Sequence, residues 1–278
     1  MTRVPFGVSQ LDSVLSGGAP AGNVVLVAEE SGAGGREFVY TSAAMNALAR
    51  ADEDLFDLYY GDLNPDAEVP PAVHYLSFTA GQDYLERELR YTMADEIVDA
   101  AAPEIEFVDL APEYFQLSSI PREWYMGETT SLSDLGKAGN REDVLTTLGE
   151  YLSEHAAGNL VVIDSITDLI GASGGDVEWE DVATLVRGLG KAAHSWGGML
   201  LALVNTDTIT DRQLGQLVDG GGGTLQFSWE TGGSKRARTM VVREFRGVLS
   251  QLESENIVRF ETEIHDSGLD ISDVRKIR

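Results

Sequence analysis

Short apolar runs rich in β-branched residues recur along the chain, and helix-length segments separate them. The runs are Val24–Ala28, Val73–Phe78, Ile105–Asp109, Leu160–Asp164 and Met199–Asn205. Continuous apolar runs of this length indicate strands that are buried on both faces, as in a parallel sheet. The helix-like segments between them include Gly35–Arg50, Asp83–Ala101, Arg141–His155 and Trp179–Trp196. This alternation predicts a doubly wound α/β fold with a mostly parallel central sheet flanked by helices.

The pattern changes after Asn205. Thr224–Trp229, Arg238–Phe245 and Ile257–Glu263 follow one another with turn residues between them and no long helix. Strand-like runs joined in this way are typical of antiparallel pairing. We therefore expect antiparallel C-terminal strands that extend one edge of the sheet.

The 278 residues contain no tandem repeat and no obvious linker, so we expect one domain over residues 1–278. Two polar, proline-containing stretches, near 52–71 and 112–140, are predicted to be surface insertions. The second is rich in aromatic residues over Tyr114–Tyr125. That density indicates either a partner or subunit surface, or a loop held to the core by its rings.

The chain carries 46 acidic and 20 basic residues, for a formal charge of −26, together with 43% hydrophobic residues. The hydrophobic content excludes disorder as the reason for the charge. Carboxylates spread along the whole chain are typical of an acidic surface adapted to concentrated salt, which predicts a halophilic protein. The same charge disfavours a nucleic-acid partner. The densest basic spot, Lys235, Arg236 and Arg238, is interpreted as a solvated hairpin, with a contact to nucleic acid or to an acidic neighbour as the alternatives.

No run approaches the roughly 20 apolar residues that span a bilayer, and the start of the chain does not resemble a signal peptide. We therefore predict a cytoplasmic protein without a membrane partner. The lack of cysteine excludes disulfides and thiolate metal sites. The four histidines are far apart in sequence, which favours structural or surface roles: His74, His155, His194 and His265.

Several motifs point to one protein family. Phe6–Gly22 reads FGVSQLDSVLSGGAPAG and resembles the KaiC-like signature G-x-x-x-L-D-x-x-L-x-G-G-x-P-x-G. Leu160–Ser165 is similar to the Walker B strand of that family. The closing strands of the family are matched by Gly223–Leu225 and Arg238–Gly247. The chain thus resembles KaiC-like members of the RecA superfamily over most of its length. Within them it is most similar to archaeal, transducer-like (HTR-like) signalling members from haloarchaea.

The resemblance implies a RecA-like P-loop NTPase fold with a site for ATP and Mg²⁺ at the carboxyl ends of the strands. It also implies a homo-oligomer, a ring or filament whose sites lie between subunits. Asp164 would be the Mg²⁺ ligand if nucleotide binds, although an aspartate that ends a buried strand is also a common loop anchor. Arg246 would be a finger that reaches the nucleotide of a neighbouring subunit.

The phosphate loop departs from the motif G-x-x-x-x-G-K-[ST]. In that motif the backbone amides surround the phosphates, the lysine contacts the terminal phosphates, and the serine or threonine hydroxyl binds magnesium. Glu29 to Arg36 reads EESGAGGR. Gly35 stands at the lysine position and Arg36 at the hydroxyl position, while Glu29 and Glu30 add negative charge. If a nucleotide site is retained, its candidate residues are Ser31, Gly32, Ala33, Gly34, Gly35, Arg36 and Asp164.

Two further departures bear on hydrolysis. The end of the second strand reads YLSFTAG over Tyr75–Gly81, without the glutamate that orients the attacking water in the family. In the closing strand Glu244 replaces the lysine of the motif K-x-R-G. Phosphoryl transfer depends on positioning and charge neutralisation, and loss of one key cation costs roughly a thousandfold. The sequence therefore predicts a degenerate Walker A loop with weak or no ATP hydrolysis.

Two functional classes follow. The first is a regulatory or signalling protein that acts through a protein partner or its own oligomer. The second is a slow ATPase in which Arg36 replaces the lysine and Glu30 or Asp83 positions water. A DNA-recombinase paralogue is disfavoured by the charge and by the absence of a long basic loop after Asn205.

Overall fold

The computed structural model describes residues 2–116, 118–126, 143–171, 177–230, 237–245, 248 and 257–276. A small antiparallel pair is formed by β1 (Arg3–Val4) and β2 (Ala19–Pro20). The strands of the main sheet are β3 (Asn23–Glu29), β4 (Val73–Ser77), β5 (Ile105–Asp109), β6 (Leu160–Asp164), β7 (Met199–Asn205), β8 (Gly223–Glu230), β9 (Ala237–Phe245), β10 (Ile257–His265) and β11 (Gly268–Lys276).

The helices lie mainly between strands of the parallel part. They are α1 (Ser9–Val14), α2 (Gly35–Ala51), α3 (Glu53–Tyr59), α4 (Gln82–Thr92), α5 (Asp95–Ala101), α6 (Ala111–Tyr114), α7 (Val144–His155), α8 (Trp179–Trp196) and α9 (Asp211–Gly220). Side-chain caps begin several of them. Asp52 accepts a hydrogen bond from the Leu55 amide at the start of α3, and Asp143 accepts two amides at the start of α7.

In the described part of the chain the main sheet has the order β11-β10-β9-β8-β3-β7-β6-β4-β5. The six strands from β8 to β5 are parallel, and β9, β10 and β11 continue the sheet in antiparallel pairs. The fold is therefore the mixed α/β arrangement that the sequence predicts, a mostly parallel sheet flanked by helices and extended by antiparallel strands.

The core lies on both faces of the sheet because successive residues of a strand point to opposite sides. Val25 and Val27 pack on one face with α2 and α5, whereas Val24 and Leu26 pack on the other with α7, α8 and α9. All four side chains are almost fully buried. A strand covered on both faces must be apolar at every position, which is why the strands could be recognised as continuous apolar runs.

Three details differ from the sequence-based expectations. Thr224–Trp229 lies in β8, which pairs in parallel with β3 and antiparallel only with β9. A further strand, β11, forms the edge of the sheet. The predicted helix Asp83–Ala101 is two helices, because Met93 and Ala94 are extended and the Ala94 amide donates to the Asp266 carbonyl.

The N-terminal signature is held by a buried carboxylate. Asp12 accepts hydrogen bonds from the amides of Phe6 (2.7 Å) and Gly7 (2.9 Å) and from the Tyr60 hydroxyl (3.1 Å). Burial raises the pKa of Asp12 to about 7, against the lowering effect of these donors. The leucine–aspartate pair of the signature is thus structural here: Leu11 is in the core and Asp12 satisfies the turn before α1.

The stretch near 52–71 is partly packed into the protein. It contains α3, whose Phe56 is buried and stacks on the ring of Tyr60 at 4.6 Å. Much of the stretch near 112–140 lies outside the described residues, as do Lys235, Arg236 and Arg246. No helix in the described ranges is both long enough and apolar enough to cross a membrane.

Candidate nucleotide site

The loop predicted from the sequence connects β3 to α2 at the carboxyl end of the sheet. Gly32 and Gly34 adopt left-handed backbone conformations, with φ of 74° and 111°, which favour glycine. Gly34 is the N-cap of α2, so the helix begins at Gly35. The loop therefore has the strand-to-helix placement and the glycine curvature of a phosphate loop.

The anion position of this loop is taken by a side chain of the protein. Glu29, the last residue of β3, is buried, and its Oε2 accepts a hydrogen bond from the Arg36 amide at 3.2 Å. The Gly35 amide interacts with the same carboxylate. Burial raises the pKa of Glu29, and the Arg36 charge and the two amides oppose that rise. The positive end of α2 thus faces an internal carboxylate where a P-loop would hold phosphate.

The same contact explains the missing lysine. A Cβ atom on Gly35 would lie 2.8 Å from the Glu29 Cβ and 3.1 Å from its Oε2. Carbon atoms do not approach so closely, so position 35 has no room for a side chain while Glu29 keeps this conformation. Glu29 at the first glycine position of the Walker A motif and Gly35 at its lysine position are therefore two parts of one structural feature.

Arg36 makes the second internal pair of the site. Its Nη1 lies 2.9 Å from Oδ2 of Asp164 at the end of β6, and its guanidinium also hydrogen-bonds the Tyr40 hydroxyl. The Tyr75 hydroxyl donates to the same Asp164 oxygen at 2.6 Å. Burial raises the pKa of Asp164, while Arg36 and Tyr75 lower it. A guanidinium thus contacts the carboxylate that the sequence resemblance suggests as a Mg²⁺ ligand.

Contacts to β8 and to the turn after β7 hold the outer side of the loop. The Ser31 amide donates to Asp207 (2.9 Å), and the Ser31 carbonyl accepts from the Trp229 indole (3.2 Å). A carboxylate oxygen of Glu30 accepts from the Trp229 amide (3.0 Å). The hydrogen bond from Ser31 lowers the pKa of Asp207. Glu30 therefore anchors the loop to β8, because its carboxylate accepts a backbone amide of that strand.

The predicted residues Ser31 to Arg36 and Asp164 are thus brought together. Sequence reasoning missed Tyr40 and Tyr75, which complete the Arg36–Asp164 pair, and Asp207 and Trp229, which fix the loop. The position of Tyr75 on the α2 side of β4 follows from strand alternation, but no motif marks it. Asp83 lies exposed at the start of α4, and no hydrogen bond or ion pair among the described residues joins it to this site. The predicted finger Arg246 is outside the described residues.

Histidines contribute to a separate structural cluster. The buried His74 lies with Nδ1 2.8 Å from the Tyr151 hydroxyl and with its ring 5.6 Å from that of His155. Burial lowers the pKa of His74. In the part of the chain that the structure describes, no group of three or more histidine, aspartate or glutamate side chains is arranged to hold a metal.

These residues do not fit Mg²⁺–ATP in the usual P-loop mode. The amides of Ser31, Ala33 and Arg36 already donate to acceptors within the protein, and no ammonium group stands at position 35. Oδ2 of Asp164 is taken by Arg36 and Tyr75, while its Oδ1 is buried and has no hydrogen-bond partner among the described residues. A nucleotide would have to displace both Glu29 and Arg36 from their contacts.

The sheet order, the strand-to-helix loop and the antiparallel extension together define a KaiC-like RecA fold. The crystal structure of a KaiC-like protein from the hyperthermophilic archaeon Pyrococcus horikoshii is similar, with a TM-score of 0.63 over 98% of this chain and 99% of that chain, at 15% sequence identity. No known family profile matches the sequence, and no curated protein matches it. The structural similarity supports the assignment of the fold, whereas the function has to be inferred from the residues of the site.

Proposed function

We propose that this protein is a regulatory RecA/KaiC-like module, a cytoplasmic signalling component with a degenerate nucleotide site and little or no ATP hydrolysis. It would act through a protein partner or its own homo-oligomer. The observation that carries the proposal is the internal occupation of the loop: Glu29 takes the amides that phosphate would use, and Arg36 takes the carboxylate that magnesium would use.

The energetic argument is one of competition. Bound phosphate would be a second anion beside the buried Glu29 carboxylate, and repulsion between like charges grows in a poorly solvated site. Removing Arg36 from Asp164 would break an ion pair to a buried carboxylate, and this costs free energy until Mg²⁺ takes the place of the guanidinium. The free energy of nucleotide binding would have to exceed both the repulsion from Glu29 and the loss of the Arg36–Asp164 pair. The lysine that normally contacts the terminal phosphates is not there to contribute.

The test is calorimetric titration with Mg²⁺–ATP in molar potassium chloride, together with a turnover assay. We expect negligible turnover, with binding weak or undetectable. Measurable hydrolysis by the wild type, abolished by Arg36→Ala, would replace this proposal by the slow ATPase that uses Arg36 as its cation. In that case the Arg36–Asp164 pair would be an active-site contact.

A gain-of-function variant makes the test sharper. The triple variant Glu29→Gly, Gly35→Lys, Arg36→Thr restores G-x-x-x-x-G-K-T and removes both internal occupants. We expect it to bind Mg²⁺–ATP much more tightly than the wild type, because a lysine would then contact the terminal phosphates and neither internal contact would remain. Gly35→Lys alone is the matched control, and it should gain no affinity because Glu29 still occupies the cradle.

A further inference from the structure

A cavity of about 550 Å³ opens beyond the carboxyl ends of β4 and β5. The turn after β4, the end of β5, Phe115, Ile120 and Glu123–Met126 line it, and it shares no lining residue with the loop 29–36. Its volume lies within the usual range of small-molecule sites. In open α/β sheets, ligands bind in crevices outside the carboxyl ends of the strands, so its position is also typical of a binding site.

The aromatic segment beside this cavity divides into two parts. Tyr114 packs between Phe78 (6.3 Å) and Phe115 (4.8 Å), and Phe115 packs on Tyr125 (5.4 Å), so these rings hold the segment to the core. Trp124 lines the cavity but is 74% exposed. An exposed tryptophan beside a cavity is a feature of recognition surfaces, since its large ring stabilises a complex when it becomes covered.

The charges that line the cavity are negative. Asp109 ends β5, and one of its carboxylate oxygens accepts the Ala111 amide at 2.9 Å. Glu123 makes no hydrogen bond or ion pair with another residue of the described ranges. Burial raises the pKa of Asp109, as expected of a carboxylate without a cation beside it. Neither lysine nor arginine is among the described residues that line the cavity.

We propose that this cavity binds a guanidinium group. Trp124 would stack on its planar face, while Asp109 and Glu123 would accept its N–H groups. A guanidinium combines the three properties required: positive charge, a flat surface that stacks on aromatic rings, and a fork of donors that matches carboxylates. An anion would be repelled by both carboxylates, and a neutral aromatic ligand would cover them without compensating their charge. The guanidinium comes either from a free small molecule or from an arginine side chain of a protein.

Calorimetric titration with L-argininamide tests the proposal, with L-citrullinamide as the neutral isostere at the same ionic strength. We expect saturable binding of argininamide and at least about tenfold weaker binding of citrullinamide, because the urea group lacks the charge. Trp124→Ala and Glu123→Gln should each weaken argininamide binding by about tenfold. Both residues are exposed, so neither change should affect folding.

Tyr91→Ala and Glu150→Gln are the matched controls, since they remove an exposed aromatic ring and an exposed carboxylate away from the cavity. Both should bind argininamide like the wild type. Equal binding of the two amides, absence of saturation, or unchanged affinity in the Trp124 and Glu123 variants would each overturn the proposal. The peptide acetyl-Gly-Arg-Gly-amide distinguishes the sources: affinity equal to that of argininamide supports an arginine side chain, and much weaker affinity supports a free small molecule.

Discussion

The contact between Gly35 and Glu29 offers a direct test of why the Walker lysine is absent. A Cβ on residue 35 would lie 2.8 Å from the Glu29 Cβ, so Gly35→Ala should be destabilising in the wild type. The same change should be tolerated once Glu29 is replaced by glycine, because the obstructing side chain is then gone. The two substitutions should therefore be strongly coupled.

The size of the coupling follows from two opposing effects. Glycine to alanine in a helix stabilises by up to about 1 kcal/mol. Overpacking in a site that cannot yield costs about 1–3 kcal/mol. We expect Gly35→Ala to lower the free energy of unfolding by roughly 1–2 kcal/mol in the wild type. In the Glu29→Gly background it should leave that free energy unchanged or raise it slightly, which gives a coupling energy of about 2 kcal/mol.

Equilibrium urea unfolding of the four proteins, followed by circular dichroism, measures the cycle. Gly149→Ala is the control, because Gly149 lies in α7 and a Cβ there would contact nothing within 4 Å. It should stabilise both backgrounds equally. A coupling energy below about 0.5 kcal/mol would refute the steric explanation. Position 35 would then tolerate a side chain whether or not Glu29 is present.

Two further predictions concern pH and salt. Because burial raises the pKa of Asp12 from 3.8 to about 7, the folded state binds more protons between these values, and the free energy of unfolding should fall as the pH rises through this window. At about 1.4 kcal/mol per pKa unit, the loss in the free energy of unfolding is at most about 4 kcal/mol. Urea unfolding at several pH values across this window measures it, and the variant Asp12→Asn should show no such loss. Because the formal charge is −26, added potassium chloride should raise the thermal unfolding midpoint by screening repulsion between carboxylates. A midpoint that falls with salt would contradict the predicted halophilic surface.

The fold could be predicted largely from local pattern. Runs such as Leu160–Asp164 had to be buried on both faces, and the helices between them are long enough to cross the sheet. The pairing of β8 could not be predicted in this way, because strand composition does not indicate which neighbour a strand adopts. The break at Met93–Ala94 was missed for a similar reason: the Ala94 amide bonds a carbonyl far along the chain.

The candidate site, like the fold, has features that the sequence could predict and features that it could not. The sequence alone located the loop between β3 and α2, because the motif is a relation along one stretch of chain. It placed Gly35 at the lysine position of that motif and Arg36 at the hydroxyl position. Asp164 was a candidate only through the resemblance to the KaiC-like family. On the sequence alone, Glu29 was only a charge near a phosphate. Only the tertiary structure brought that carboxylate onto the amide of Arg36 and the guanidinium onto Asp164, because a side chain's partner depends on packing between elements that are distant in sequence.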